Sequence, residues 1–147
     1  MKAVDEMVRV FRERCRKAGL KVTHQRVEIY RVLCSTDVHP DAETVYVRVK
    51  QKIPCVSLDT VYRTLRMLEE KGIISSSETL GERSRYDANT ERHHHFVCEE
   101  CGMIADFYCD ELDRFPLPRK VAAMGSVDRV CVELRGLCRK CRPAVRK

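Results

Sequence analysis

The segment His93-His94-His95-Phe96-Val97-Cys98-Glu99-Glu100-Cys101 places three imidazoles and two thiols within nine residues. Such a density of nitrogen and sulfur donors marks a metal-binding stretch. Its Cys98-x-x-Cys101 half is matched by Cys138-Arg139-Lys140-Cys141. Two pairs of identical spacing can close one tetrahedral tetrathiolate cage around Zn(II). Four thiolates leave no open coordination position, so a structural zinc is expected. The histidines are a separate matter: in an extended segment His93 and His95 project to one face and His94 to the other. Asp87 and Asp106 lie nearby in sequence, and His39 sits in a turn of the N-terminal half. A mixed imidazole and carboxylate set suits Fe(II), Mn(II) or Zn(II). Spacing alone does not bring His39 to His93.

The elements that must position these groups belong to a chain of 147 residues, 44% hydrophobic and 34% charged. That is a globular composition, long enough for one ordinary domain or two small ones. No apolar run approaches the roughly 20 residues needed to span a bilayer, so no membrane partner is expected. Met1-Lys2-Ala3-Val4-Asp5-Glu6 has no signal-peptide core, and the expected compartment is the cytoplasm. There the nine cysteines are better read as thiols than as a disulfide framework. Cys15, Cys34, Cys55, Cys109 and Cys131 are expected to be small buried hydrophobes. Through Tyr86 there are 17 Lys and Arg against 12 Asp and Glu, and afterwards 11 against 10. The basic surplus of the first half favours nucleic acid, modestly, because solvated surfaces carry such surpluses too.

Residues 3 to about 18 carry Val4, Met7, Val8, Phe11 and Cys15 at helical spacing, with Gly19 as the stop. Thr23 caps a second predicted helix to about Ser35, with Val27, Tyr30 and Leu33 on one face. His39-Pro40 breaks the chain, and a third helix runs from Asp41 to about Lys52 before Pro54. Ser57 caps a fourth, ending at Gly72, with Leu58, Val61, Leu65 and Leu68 inward and Asp59, Thr60, Arg63, Thr64 and Arg66 available elsewhere. Strand-like Ile73 to Thr79, a Gly81 turn and Arg83-Ser84-Arg85-Tyr86 then make a hairpin. Three helices, a fourth and a hairpin are the order of a winged helix-turn-helix, with Ser57 to Lys71 as the recognition helix. Arg83 and Arg85 are placed for phosphate contacts. The alternative is a helical domain with a hairpin of no function.

After Arg92 the pattern becomes that of a small α+β unit. His93 to Val97, Met103 to Tyr108 and Ser126 to Arg135 read as strands. Pro116 and Pro118 break whatever helix lies between Glu111 and Met124. Thirty-six residues lie between Cys101 and Cys138, so the intervening elements must return the chain until the two thiol pairs meet. The expected fold class is therefore α+β: a winged helix-turn-helix domain over residues 1–86, then a small α/β dimerisation domain over 87–147 with a tetrathiolate zinc site.

The run Val56-Ser57-Leu58-Asp59-Thr60-Val61-Tyr62-Arg63-Thr64-Leu65 resembles the recognition helix of the ferric uptake regulator family. Gly19-Leu20-Lys21-Val22-Thr23-His24-Gln25-Arg26 is similar to that family's entry to its second helix. The resemblance implies DNA contacts for Tyr62 and Arg63, with Ser57 and Thr60 beside them. For Tyr62, packing between Leu58 and Leu65 is the alternative. It also implies a regulatory metal site between two domains, at His39, Asp87, His93, His95 and Asp106. Asp at both carboxylate positions resembles the peroxide-responsive branch. In that branch a ligand histidine gains an oxygen, which implies His39 and His93 as oxidation targets.

Two departures stand out. Many members carry a histidine in the final strand for a further metal site, where this chain has Ser126-Val127-Asp128-Arg129-Val130-Cys131, so no third site is expected. Phe115-Pro116-Leu117-Pro118 replaces a longer helix. His24 and His94 are read as ordinary polar side chains.

The expected function is that of a homodimeric repressor on a pseudo-palindromic double-stranded DNA operator, with structural Zn(II), regulatory Fe(II) or Mn(II), and no small-molecule substrate. The alternatives are a metal-sensing member without peroxide response, a constitutive DNA binder with structural zinc alone, and a metalloenzyme. Against the last, no Gly-rich phosphate loop, nucleophile elbow or HExxH is present.

Overall fold

The second, third and fourth helices of the N-terminal half each begin at a side chain that satisfies an orphan amide. The computed structural model describes residues 4–36, 38–77 and 83–143 and separates into two compact units, Met1–Thr90 and Glu91–Lys147. In the first unit α1 (Val4–Lys17) buries Val8, Phe11 and Cys15, and Phe11 stacks on Tyr30 of α2 (His24–Cys34) with centroids 4.2 Å apart. The chain leaves α1 through Gly19 at φ 70°, a left-handed position that glycine adopts without a Cβ penalty. Thr23 Oγ1 accepts from the Arg26 amide at 3.3 Å. Asp41 accepts from the Thr44 amide at 2.8 Å to open α3 (Ala42–Lys50). Ser57 accepts from the Thr60 amide at 3.1 Å to open α4 (Leu58–Glu70).

Along α4 the buried stripe is Val61, Thr64, Leu65 and Leu68. Thr64, expected on an available face, is therefore in the core, while Leu58 is only half-buried. The helical period explains this: Thr64 lies three residues beyond Val61 and four before Leu68, on the same face. Gly72 at φ 65° ends the helix. Ile73 and Ile74 were expected in a strand, but both are buried in the helical core instead. Among the described residues the hairpin consists of β1 (Ser75–Ser77) antiparallel to β2 (Arg85–Asp87), with Ser76 opposite Tyr86. Glu78 and Thr79 of the expected strand and the Gly81 turn lie outside the described residues.

The second unit is a three-stranded sheet in the order β4-β3-β5. β3 (His94–Cys98) pairs antiparallel with β4 (Ile104–Phe107), and parallel with β5 (Glu133–Gly136). Only the last part of the expected strand Ser126 to Arg135 forms a ladder. Residues 126–131 are almost wholly solvent-exposed, so their alternation has no sheet to face. Between β4 and β5 lie two short helices, α5 (Asp110–Asp113) and α6 (Arg119–Met124), with Pro116 and Pro118 in the break. The buried apolar groups of this unit are few: Val97, Cys98, Ile104 and Cys138. So small a core calls for an additional staple. No helix among the described residues is long and apolar enough to cross a membrane.

Candidate metal centres and nucleic-acid face

Parallel pairing of β3 and β5 sets Cys98 opposite Gly136, and this register solves the separation of the two cysteine pairs. Each pair sits in a tight turn at the end of its strand. Gly102 at φ 71° returns its amide to the Cys98 carbonyl at 2.9 Å, and the Cys141 amide reaches the Cys138 carbonyl at 3.1 Å. One sulfur from each of Cys98, Cys101, Cys138 and Cys141 lies within 4.8 Å of the others. Cys101 Sγ and Cys138 Sγ are 3.9 Å apart. Sulfurs about 2.3 Å from a tetrahedral zinc would stand about 3.8 Å apart, so the set fits that ion.

Electrostatics favour the thiolates at two of the four positions. Backbone N–H groups from Cys101, Cys138 and Glu100 converge on the Cys98 sulfur and bring its pKa down to about 6. The Cys141 backbone N–H likewise lowers Cys138. Cys141 is pushed up to about 12 by hydrogen bonding with the Cys138 and Cys101 side chains. Without an ion, four sulfurs this close share protons; a divalent cation would replace them.

In the first unit, His39 and Asp87 are joined by the way β2 lies on the 38–41 loop. The Arg85 guanidinium donates to the His39 carbonyl at 3.2 Å, and the Tyr86 amide donates to the Pro40 carbonyl at 3.0 Å. His39 Nε2 then stands 3.8 Å from Asp87 Oδ2, and the other Asp87 oxygen accepts from the Asn89 amide at 2.7 Å. His39 is buried.

In the second unit, His95 and Asp106 are cross-strand partners. Asp106 Oδ1 lies 3.6 Å from Nε2 of both His93 and His95. The His93 Nδ1 donates to the Glu91 carbonyl at 2.7 Å, which leaves the Nε2 lone pair of a neutral ring facing His95 Nε2 at 3.0 Å. Two nitrogens about 2.1 Å from one ion at a right angle would stand about 3.0 Å apart. The donor set therefore fits a borderline divalent ion such as Fe(II), Mn(II) or Zn(II).

His94 is no ordinary polar residue. It is fully buried, its Nδ1 accepts from the Val132 amide at 3.1 Å, and its Nε2 lies 3.4 Å from Asp113. Nothing in the spacing of His94 signalled Asp113, because the pair depends on the packing of α5.

Most of the cysteines outside the thiolate set differ from the expectation of burial. Cys15 is buried and Cys34 is half-buried, its thiol pushed up to about 11 chiefly by desolvation. Cys55 and Cys131 are exposed, and Cys109 sits half-buried at the start of α5. Loop positions after a strand or helix carry no facing layer to bury them.

On α4, Tyr62 is 46% exposed, which removes core packing as its role. Arg63 is exposed and lies 3.3 Å from Asp59 one turn earlier, an exchangeable surface pair. Ser57 Oγ is engaged as the cap and lies 2.8 Å from Thr60 Oγ1. The wing arginines are more committed than expected. Arg83 pairs with Glu43 at 2.6 Å and Asp41 at 3.4 Å, and Arg85 holds the His39 carbonyl. Both were expected as phosphate contacts; without DNA, their guanidiniums tie the hairpin to the start of α3 and to the loop before it. A cleft of about 170 Å³ lies between Tyr62, Arg83 and Tyr86.

A winged helix carried on one chain with a thiolate-clasped sheet is the build of a DNA-binding metalloregulator. The model of the ferric uptake regulator family matches residues 17–125, and the chain belongs to that family, whose members are transcription regulators rather than enzymes. It is 35% identical over 127 residues to the peroxide-responsive repressor PerR of Staphylococcus epidermidis, covering 86% of this chain and 85% of that protein. Among solved structures it is similar to the Helicobacter pylori ferric uptake regulator Fur, which has three functional metal-binding sites. The identity is 27% and the TM-score 0.75, over 99% of this chain and 97% of that one. The Campylobacter jejuni peroxide stress regulator matches with a TM-score of 0.69 and 27% identity, over 90% of this chain and 97% of that one.

Proposed function

We propose that this chain is a cytoplasmic, homodimeric repressor that binds a pseudo-palindromic operator when a regulatory Fe(II) or Mn(II) is bound, and releases it when peroxide oxidises a ligand histidine. In this reading Cys98, Cys101, Cys138 and Cys141 hold a structural Zn(II), and His39, Asp87, His93, His95 and Asp106 together hold the regulatory ion. The observation that carries it is the 3.0 Å approach of His93 Nε2 to His95 Nε2 with the His93 Nδ1 proton already given to a carbonyl. Two imidazole nitrogens converging at this distance, with Asp106 Oδ1 3.6 Å from each, are placed to act as neighbouring ligands of one cation.

Ions held by ligands from both units would make the operator-binding geometry depend on occupancy, so metal affinity and DNA affinity are linked. Dimerisation is supported by apolar groups that the second unit leaves in solvent, among them Tyr108, Phe115, Met124 and Leu134. The relatives named for peroxide response support the choice of signal.

Fe(II), when bound, would catalyse cleavage of the peroxide O–O bond, the imidazole ring being the two-electron reductant overall. Of the two peroxide oxygens, one is added to the imidazole ring and the other leaves as water. The oxidised ring is a poorer ligand, and the set that held the ion is broken. His39 and His93 are the expected targets.

Peptide mapping after peroxide treatment of the Fe(II) form and the Mn(II) form tests this. One added oxygen on His39 or His93 in the Fe(II) form, with operator release, is the expected result. Release with oxidation confined to cysteines would replace the histidine mechanism with thiol chemistry. No release at all would leave a metal-sensing regulator without peroxide response.

A further inference from the structure

Cys131 lies immediately before the segment that enters β5, and it is exposed. Its sulfur is 3.6 Å from the His93 backbone carbonyl and 3.8 Å from His95 Nδ1. A carbonyl oxygen can only accept, so the thiol proton is given to His93 and the sulfur is left to accept from the His95 Nδ1–H. The neutral His95 ring then carries its lone pair on Nε2, the atom that faces His93 Nε2 and Asp106. His93 is set in the same tautomer by the Glu91 carbonyl.

We infer that Cys131 is a positioning residue for the regulatory metal: its thiol fixes the ring orientation and tautomer of His95 so that Nε2 is presented to the ion. This rests on the regulatory site proposed above. Cys131 is not a ligand in this arrangement, because its sulfur approaches the far nitrogen of the ring. Groups that orient a ligand imidazole through its second nitrogen commonly change metal affinity by 10- to 100-fold when removed. Most such groups are carboxylates or carbonyls. A sulfur in this place accepts a weaker, longer hydrogen bond, and it sits at a solvent-facing position.

The test uses the full chain with the tetrathiolate set loaded with zinc, titrated with Co(II) and followed by its ligand-field spectrum, with Mn(II) binding measured separately by electron paramagnetic resonance. Cys131→Ala is expected to bind the second ion about tenfold more weakly, with an altered Co(II) spectrum. Cys131→Ser, whose hydroxyl can still accept from Nδ1, should bind within about threefold of the unmodified chain. Nitrogen-15 spectra of the protein with diamagnetic Zn(II) loaded in the second site as well should show His95 as the Nδ1–H tautomer, and Cys131→Ala should shift its Nδ1 signal. Folding of both variants is checked by zinc content and circular dichroism.

Equal affinity and an unchanged spectrum in Cys131→Ala would overturn the positioning role while leaving the regulatory site standing. An unmodified chain that takes up no second ion would overturn the regulatory site and this role with it.

Discussion

The Arg85 guanidinium donates to the backbone carbonyl of His39 across 3.2 Å. A wing-strand side chain thus sets the position of a loop that carries a candidate metal ligand. Replacing Arg85 with Ala should remove this charge-assisted bond and leave a partly buried carbonyl short of a donor, at a cost of about 1–3 kcal/mol to the first unit. Urea unfolding of the chain, followed by tyrosine signals of the N-terminal core, measures it. A change below about 0.5 kcal/mol would make the contact dispensable.

Asp41 links the α3 start to the wing. Burial alone would raise its pKa, but hydrogen bonds from Thr44 and the guanidinium of Arg83 outweigh it, and the pKa lies below the ordinary carboxylate value. A folded pKa below the unfolded one gives stability that is present above the unfolded pKa and is lost as pH falls through the folded pKa. Asp41→Ala should therefore cost about 1 kcal/mol near neutral pH. The difference between the two proteins should shrink below about pH 4, and paired denaturation curves at several pH values would show whether it does.

Cys101 is the exposed member of the thiolate set. Cys101→Ser puts a weaker oxygen donor in a closed shell, and bound zinc should fall from one equivalent toward none under mild chelation. Because the second unit has so few buried apolar groups, its amides should lose hydrogen-exchange protection while those of α1–α4 keep theirs. A variant with full zinc content and unchanged protection would contradict the structural role.

Arg63 projects from α4 and pairs with the exposed Asp59 one turn earlier. If it reads a base edge, Arg63→Ala should cost about 1–3 kcal/mol on the operator and relax preference at one position in each half-site. Equal weakening on operator and random duplex would identify a phosphate contact. Titrations at two salt concentrations separate the outcomes, since loss of a phosphate contact also flattens the salt dependence.

Much of the first unit was legible because its helices announce themselves locally. Thr23, Asp41 and Ser57 are short polar side chains placed just before apolar periodicity, and each is a cap. The repeated C-x-x-C spacing made the thiolate set legible for the same reason, since each half is a single turn. Features that depend on nonlocal packing were harder to see. Thr64 is polar by type and buried by phase. The alternation from Ser126 onward looked like a strand, although only Glu133–Gly136 finds a partner, and that partner runs parallel. The pairing of Arg83 with Glu43, 40 residues away, could not have been read from spacing either. Cys131 beside His95 could not have been read from spacing, because the two are 36 residues apart and meet only through the crossover into β5.

That crossover also orders events in time. β3 cannot acquire its parallel neighbour, nor Cys98 and Cys101 their second pair of thiols, until residues through Cys141 have left the ribosome. The capped helices of the first unit are joined by near-neighbour contacts and can fold well before then. During that interval the nascent chain carries two thiols and three imidazoles on a strand whose β5 edge is still unpaired. Zinc capture is consequently a late step of biogenesis, and a cell short of zinc would accumulate chains with a folded winged helix and an unclosed second unit.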